Sequence, residues 1–137
     1  MASLRSCWLA AFSAIACLIL LQGCPKEKRP AESVSQSGNV IVAQPLPNDE
    51  VSSPVTVRGR ARVFEAALSS RVVSDTGTEL GISHFMTSAG APEFGDFRAE
   101  VNFTKPAGVS RGFVEVFSNS PRDGSVQDLV RIPVRFR

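Results

Sequence analysis

A chain of 137 residues, 43% of them hydrophobic, with 15 basic against 13 acidic side chains, is long enough for one domain and little more. With Arg5 near the start, and Lys26, Lys28, Arg29, Glu27 and Glu32 in a polar stretch further on, set aside, 11 basic and 11 acidic residues remain. That balance argues against nucleic acid as a partner, which needs a positive excess, and the three cysteines, Cys7, Cys17 and Cys24, all precede the remainder, so it has neither a disulfide nor a cysteine metal site.

In chain order, Arg5 leads into an apolar run from Cys7 to Leu21 that is interrupted by Ser13. It falls short of the roughly 20 residues a membrane span needs. The run closes on Leu21-Gln22-Gly23-Cys24, which resembles the lipobox of bacterial lipoproteins. The resemblance implies a signal peptide over residues 1–23, cleavage after Gly23, and acylation of Cys24 with fatty chains such as palmitate. More than one chain would hold the protein stably on the extracytoplasmic side of a cell membrane or outer membrane, which a single chain does not. Apart from Cys24, Arg29 and Ala31, residues 24–38 are Pro, Lys, Glu, Ser, Gln and Gly, with Val34 the only large apolar residue, a composition expected of a flexible tether. Its basic residues beside Cys24 suit anionic lipid headgroups.

From Asn39 onward, short β-branched and aromatic runs alternate with turn residues, which predicts an all-β sandwich over residues 39–137. The first strand, Asn39 to Gln44, ends at Pro45. The second, Pro54 to Arg62, sets Val55, Val57, Gly59 and Ala61 on one face and Thr56, Arg58, Arg60 and Arg62 on the other. At Val63-Phe64 the parity slips by one, predicting a bulge or corner, where Glu65 is placed to accept freed backbone N–H groups. The third strand then buries Phe64, Ala66, Leu68 and Val72 and ends at Asp75-Thr76-Gly77. In the fourth, Glu79 to Thr87, Leu80, Ile82, His84 and Met86 share one parity against Phe85, so either His84 points inward or the register shifts. The fifth is the clearest, with Phe97, Ala99, Val101 and Phe103 alternating with polar residues. The sixth, Gly112 to Ser118, has two apolar parities. Burying Val114 and Val116 leaves Glu115 solvated, whereas burying Phe113 and Phe117 would strand a carboxylate in the core at a cost of several kcal/mol. The valines are therefore assigned inward. The seventh buries Val130, Ile132, Val134 and Phe136, and Pro133 marks it as an edge strand or a broken ladder.

Seven strands in this order predict an immunoglobulin-like two-sheet sandwich. The segments Ile41-Val42-Ala43-Gln44-Pro45, Ser53 to Ala61, Val63-Phe64-Glu65-Ala66, Gly95-Asp96-Phe97, Asp123-Gly124-Ser125 and Ile132-Pro133-Val134 resemble the immunoglobulin-like domain of bacterial spore germination proteins. That family's domain often accompanies a GerM domain. The resemblance implies an extracytoplasmic, non-catalytic module tied to the cell envelope, without a cofactor.

The side chains that carry chemistry are sparse. His84 is the only histidine, and a hydrolase would need it beside a nucleophile and an orienting carboxylate. Asn48-Asp49-Glu50, Asp75, Asp96 and Asp123 would bind a metal only if their loops converged, and these residue types are also the commonest turn formers. No catalytic set and no metal site is assigned. If the sixth and seventh strands pair, outward Phe113, Glu115 and Phe117 lie beside outward Arg131 and Arg135, a possible interaction patch for an envelope protein or a cell-wall polymer. The alternative is a small-ligand or protease-inhibitor-like domain using the end loops Ser88 to Gly95 and Asn119 to Ser125.

Overall fold

Alternating valines and aromatics need two facing surfaces to leave water, and the chain supplies both. A computed structural model describes residues 31–137; the expected signal peptide, the cleavage after Gly23, acylation at Cys24 and the tether up to residue 30 lie outside the described residues. A four-stranded antiparallel sheet runs in the order β1 (Ser33–Val34), β2 (Val40–Gln44), β4 (Val55–Ala61) and β7 (Gly95–Val101). A five-stranded sheet runs β3 (Glu50–Val51), β9 (Val126–Phe136), β8 (Arg111–Asn119), β5 (Ala67–Ser74) and β6 (Glu79–Met86). Val40, Val42, Val57 and Phe97 of the first sheet meet Val72, Val114, Val116, Ile132 and Phe136 of the second. Burial of each such side chain contributes about 1.5–3 kcal/mol. Phe103 and Phe136 stack at a tilt with ring centroids 5.3 Å apart, and Phe85 meets Phe97 at 5.5 Å.

The all-β sandwich and the inward assignment of Val114, Val116, Val130, Ile132, Val134 and Phe136 agree with the sequence. The strand number does not: the described residues hold nine strands, not seven. The two additions, β1 and β3, have two residues each, too few for any periodicity to register. β1 lies inside the stretch expected as tether: Ser33 and Val34 pair with Val42 and Ile41. Ser35 is buried, and its Oγ accepts from the Val40 N–H at 3.1 Å. Asp128, at a bulge of β9 with a left-handed φ of 54°, fastens this hairpin across the sandwich. Its carboxylate accepts from Ser37 Oγ, from Asn39 Nδ2 at 3.1 Å and from Ser118 Oγ at 3.1 Å.

The parity slip at Val63-Phe64 is a 3-10 turn over Phe64–Ala66, with Glu65 and Ala66 at φ 52° and 59°. Two consecutive left-handed residues reverse the direction of the side chains, so Val63 is buried and Phe64, expected in the core, is 62% exposed. The Glu65 carboxylate accepts no hydrogen bond among the described residues, unlike the role expected for it. Phe64→Ser is therefore expected to change unfolding free energy by less than about 0.5 kcal/mol, which chemical denaturation checks.

In β6 the register shifts: Val72 pairs with Gly81 and Val73 with Glu79, leaving Leu80 as the extra residue. Leu80 and Phe85 both reach the core, while Ile82, His84 and Met86 face out. Pro133 lies in a strand with neighbours on both sides, not at an edge. Its carbonyl accepts from the Asn48 N–H at 2.7 Å, so its nitrogen faces the side where β3 has stopped short and no ladder donor is lost.

Candidate functional site on the outer face of the five-stranded sheet

The sheet register decides which polar side chains meet outside the core. Glu115 of β8 lies opposite Arg71 of β5 on one side and Arg131 of β9 on the other. Directly opposed residues have Cβ atoms about 5 Å apart, close enough for ionic contact. Arg71 Nε donates to Glu115 Oε2 at 2.6 Å, and Arg131 Nε lies 3.3 Å from Oε1. Glu79 stands 3.9 Å from the Arg71 guanidinium on its far side. Each arginine also lies over a ring, Arg131 over Phe113 at 3.9 Å and Arg71 over Phe117 at 5.1 Å.

The result is a row of three charges laid on two aromatic rings. The Glu115 side chain, expected to be solvated, is only 6% exposed, because the guanidiniums and their alkyl stems close over it. Phe117 is outward and buried for the same reason. The arginines themselves remain within reach of a partner, with side chains 32% and 48% exposed for Arg71 and Arg131. A short charge-assisted bond from Arg71 to one carboxylate oxygen and an ion pair from Arg131 to the other fix their directions before any partner arrives.

Of the expected patch, Phe113, Glu115, Phe117 and Arg131 come together. Arg135 stands apart: it lies opposite Arg111, and its Nε donates to the Asn48 carbonyl at 3.2 Å. With Arg111, Phe113, Pro133 and Asp75 it borders a shallow depression at the end of the same face. Arg71 was not foreseen. Its outward parity with Ser69 was readable, but its role depends on β5 pairing with β8, which no local pattern states.

The remaining candidates are dispersed. His84 is exposed on β6, where Nδ1 shares a hydrogen bond of 2.8 Å with Ser69 Oγ, and no carboxylate bonds its ring among the described residues. Asp49 accepts from the Leu46 N–H at 2.8 Å, and Asp123 from the Ser125 hydroxyl at 2.7 Å and its N–H at 3.1 Å, each closing a turn. The Ser125 hydroxyl, then its N–H, hold the Asp123 carboxyl below the usual carboxylate range. No group of three or more His, Cys, Asp or Glu side chains converges among the described residues. Of the two end loops, the second borders a depression through Asn119, beside Ala67 and Met86, and no residue of Ser88 to Gly95 lines it.

No curated protein and no solved structure matches the chain. A family model, described as the immunoglobulin-like domain of bacterial spore germination, matches residues 39–125. That match takes in well over half the chain, with strands β2 to β8 of the two facing sheets, and by it the chain belongs to the immunoglobulin-like domains of bacterial spore germination.

Proposed function

We propose that this protein is a lipid-anchored, extracytoplasmic and non-catalytic module of the cell envelope, and that the outer face of its five-stranded sheet recognises another envelope component, a protein or a wall polymer. The observation that carries the reading is the Arg71–Glu115–Arg131 row on its two phenylalanine rings. A charge row with a buried carboxylate contributes little net stability for what its desolvation costs. As a recognition surface it has a clear advantage, since arginines already fixed in direction lose little freedom when a partner's carboxylate, phosphate or carbonyl group meets them. Phe113 beside Arg131 adds the aromatic contact that interfaces favour. The Leu21-Gln22-Gly23-Cys24 stretch supports the anchor and the side of the membrane.

Detergent extracts of the envelope offer a direct test, with the acylated protein as bait. One envelope protein or wall fragment is expected to be enriched, and Phe113→Ser and Arg131→Ser are each expected to lower its capture about tenfold or more. Enrichment no greater than that given by an unrelated globular lipoprotein, or capture indifferent to both substitutions, would count against the reading.

A further inference from the structure

The outer face of the other sheet has a different character. Arg58 of β4 lies directly opposite Arg98 of β7. Like charges in that position repel, and the arrangement lowers the stability of the free domain. Among the described residues neither guanidinium forms an ion pair with a carboxylate, although Asp96 and Glu100 flank Arg98 on its own strand. Arg60, directly opposite Asp96, and Arg62 lie further along and stand 5.9 and 5.1 Å from the ring of Phe94, which is 43% exposed. Across the sheet Arg60 neighbours Ile41, and Ile41 neighbours Val34, which is 54% exposed. Arginines interleaved with exposed apolar side chains suit the boundary between lipid phosphates and acyl chains.

The path of the chain selects the occupant. Glu32 borders the same depression as Arg58 and Arg98, so the chain enters the fold at the margin of this face. Only the eight residues Pro25 to Glu32 separate Cys24 from β1. Fully extended they span no more than about 28 Å. Lys26, Lys28 and Arg29 within that stretch are themselves drawn to an anionic surface, which shortens the working distance.

We infer that the outer face of the four-stranded sheet, centred on Arg58 and Arg98, lies against anionic phospholipid headgroups of the membrane that holds Cys24. This rests on the anchored reading above. It leaves the opposite face, with Arg71 and Arg131, directed away from the bilayer toward partners. Membrane phosphates would relieve the Arg58–Arg98 repulsion by counter-charging both guanidiniums.

The test uses the mature chain from Cys24 to Arg137, in which Cys24 is the sole cysteine and no tryptophan remains, Trp8 having left with the signal. Its hydrophobic core lies wholly within the described residues. Coupling Cys24 to a maleimide-bearing lipid tethers it to phosphatidylcholine vesicles made with or without phosphatidylglycerol. Phe94→Trp serves as reporter and Met86→Trp, 69% exposed in the parent chain on the other sheet, as control, with brominated lipid as quencher. Quenching of the Phe94→Trp chain is expected only with phosphatidylglycerol, and it should fade at high salt. The ratio of docked to free protein should fall about fivefold for each of Arg58→Gln and Arg98→Gln. Quenching that ignores lipid charge or these substitutions, an absence of quenching, or equal quenching at position 86 overturns the inference. Because the tether is chemical, this outcome is separate from acylation in cells: absence of palmitate at Cys24 in labelled cells removes the anchor whatever the vesicles report.

Discussion

Replacing Arg71 and Arg131 together by alanine is expected to destabilise the domain by about 3 kcal/mol, well beyond the 0–1 kcal/mol typical of exposed ion pairs. The reason is the asymmetry of the row. Both arginines reach water, whereas the Glu115 side chain between them is 6% exposed and has both oxygens engaged. Removing the guanidiniums leaves a carboxylate enclosed without a counter-charge, though the vacated space admits some water and holds the loss toward the lower end of values for buried pairs. Adding Glu115→Leu to the double substitution should recover most of the loss, since an uncharged side chain makes no such demand. Denaturant unfolding of the parent chain and the two variants measures this. A loss below about 1 kcal/mol for Arg71→Ala/Arg131→Ala would mean that the row behaves as a surface pair.

Gly112→Ala and Gly59→Ala are expected to be comparably severe, for a steric reason. A Cβ at position 112 would lie 2.2 Å from the Val73 carbonyl oxygen and 2.6 Å from the Phe136 ring. At position 59 it would lie 2.1 Å from the Ile41 carbonyl oxygen and 2.8 Å from the Phe97 ring. The carbonyls belong to neighbouring strands and cannot retreat without opening a ladder, and the rings are fixed in the core. Each alanine should cost about 3 kcal/mol, at the upper end for overpacking. In a domain of this size that lowers the midpoint of thermal unfolding by roughly 12 °C or more. A shift of only a few degrees for either would show that the sheets can part locally.

Strands with strict alternation were legible without coordinates. Phe97, Ala99 and Val101 on β7 and Val130, Ile132, Val134 and Phe136 on β9 face inward as their parity requires. The choice of Val114 and Val116 over Phe113 and Phe117 was also sound, since the cost of an unpaired carboxylate decided it. Glu115 itself ends up enclosed where solvation is expected from its parity, because the outer face of this sheet is not a wet one. Arg131 of the adjoining strand, expected beside Glu115, covers that face together with Arg71, which lies 44 residues away in sequence and is brought there only by the pairing of β5 with β8. Phe64 was misplaced for a local reason: left-handed backbone at Glu65 and Ala66 carries no marker when the residues are not glycine. The extra Leu80 in β6 did leave a trace, the conflict between His84 and Phe85, and the register shift resolves it. Asp128 left none. Its three hydrogen-bond donors are Ser37, Asn39 and Ser118, and two of these lie at the opposite end of the chain.

The two outer faces thus divide the work proposed for this domain, with Arg58 and Arg98 toward lipid and Arg71, Phe113 and Arg131 toward a partner. Photocrosslinking in cells, from a benzoylphenylalanine substituted at position 113, tests that division most directly. The account predicts one dominant adduct with an envelope component, recovered in the membrane fraction and lost when Arg131 is changed to serine. No adduct from position 113, or adducts just as abundant from a probe substituted for Glu100 on the other face, would contradict it.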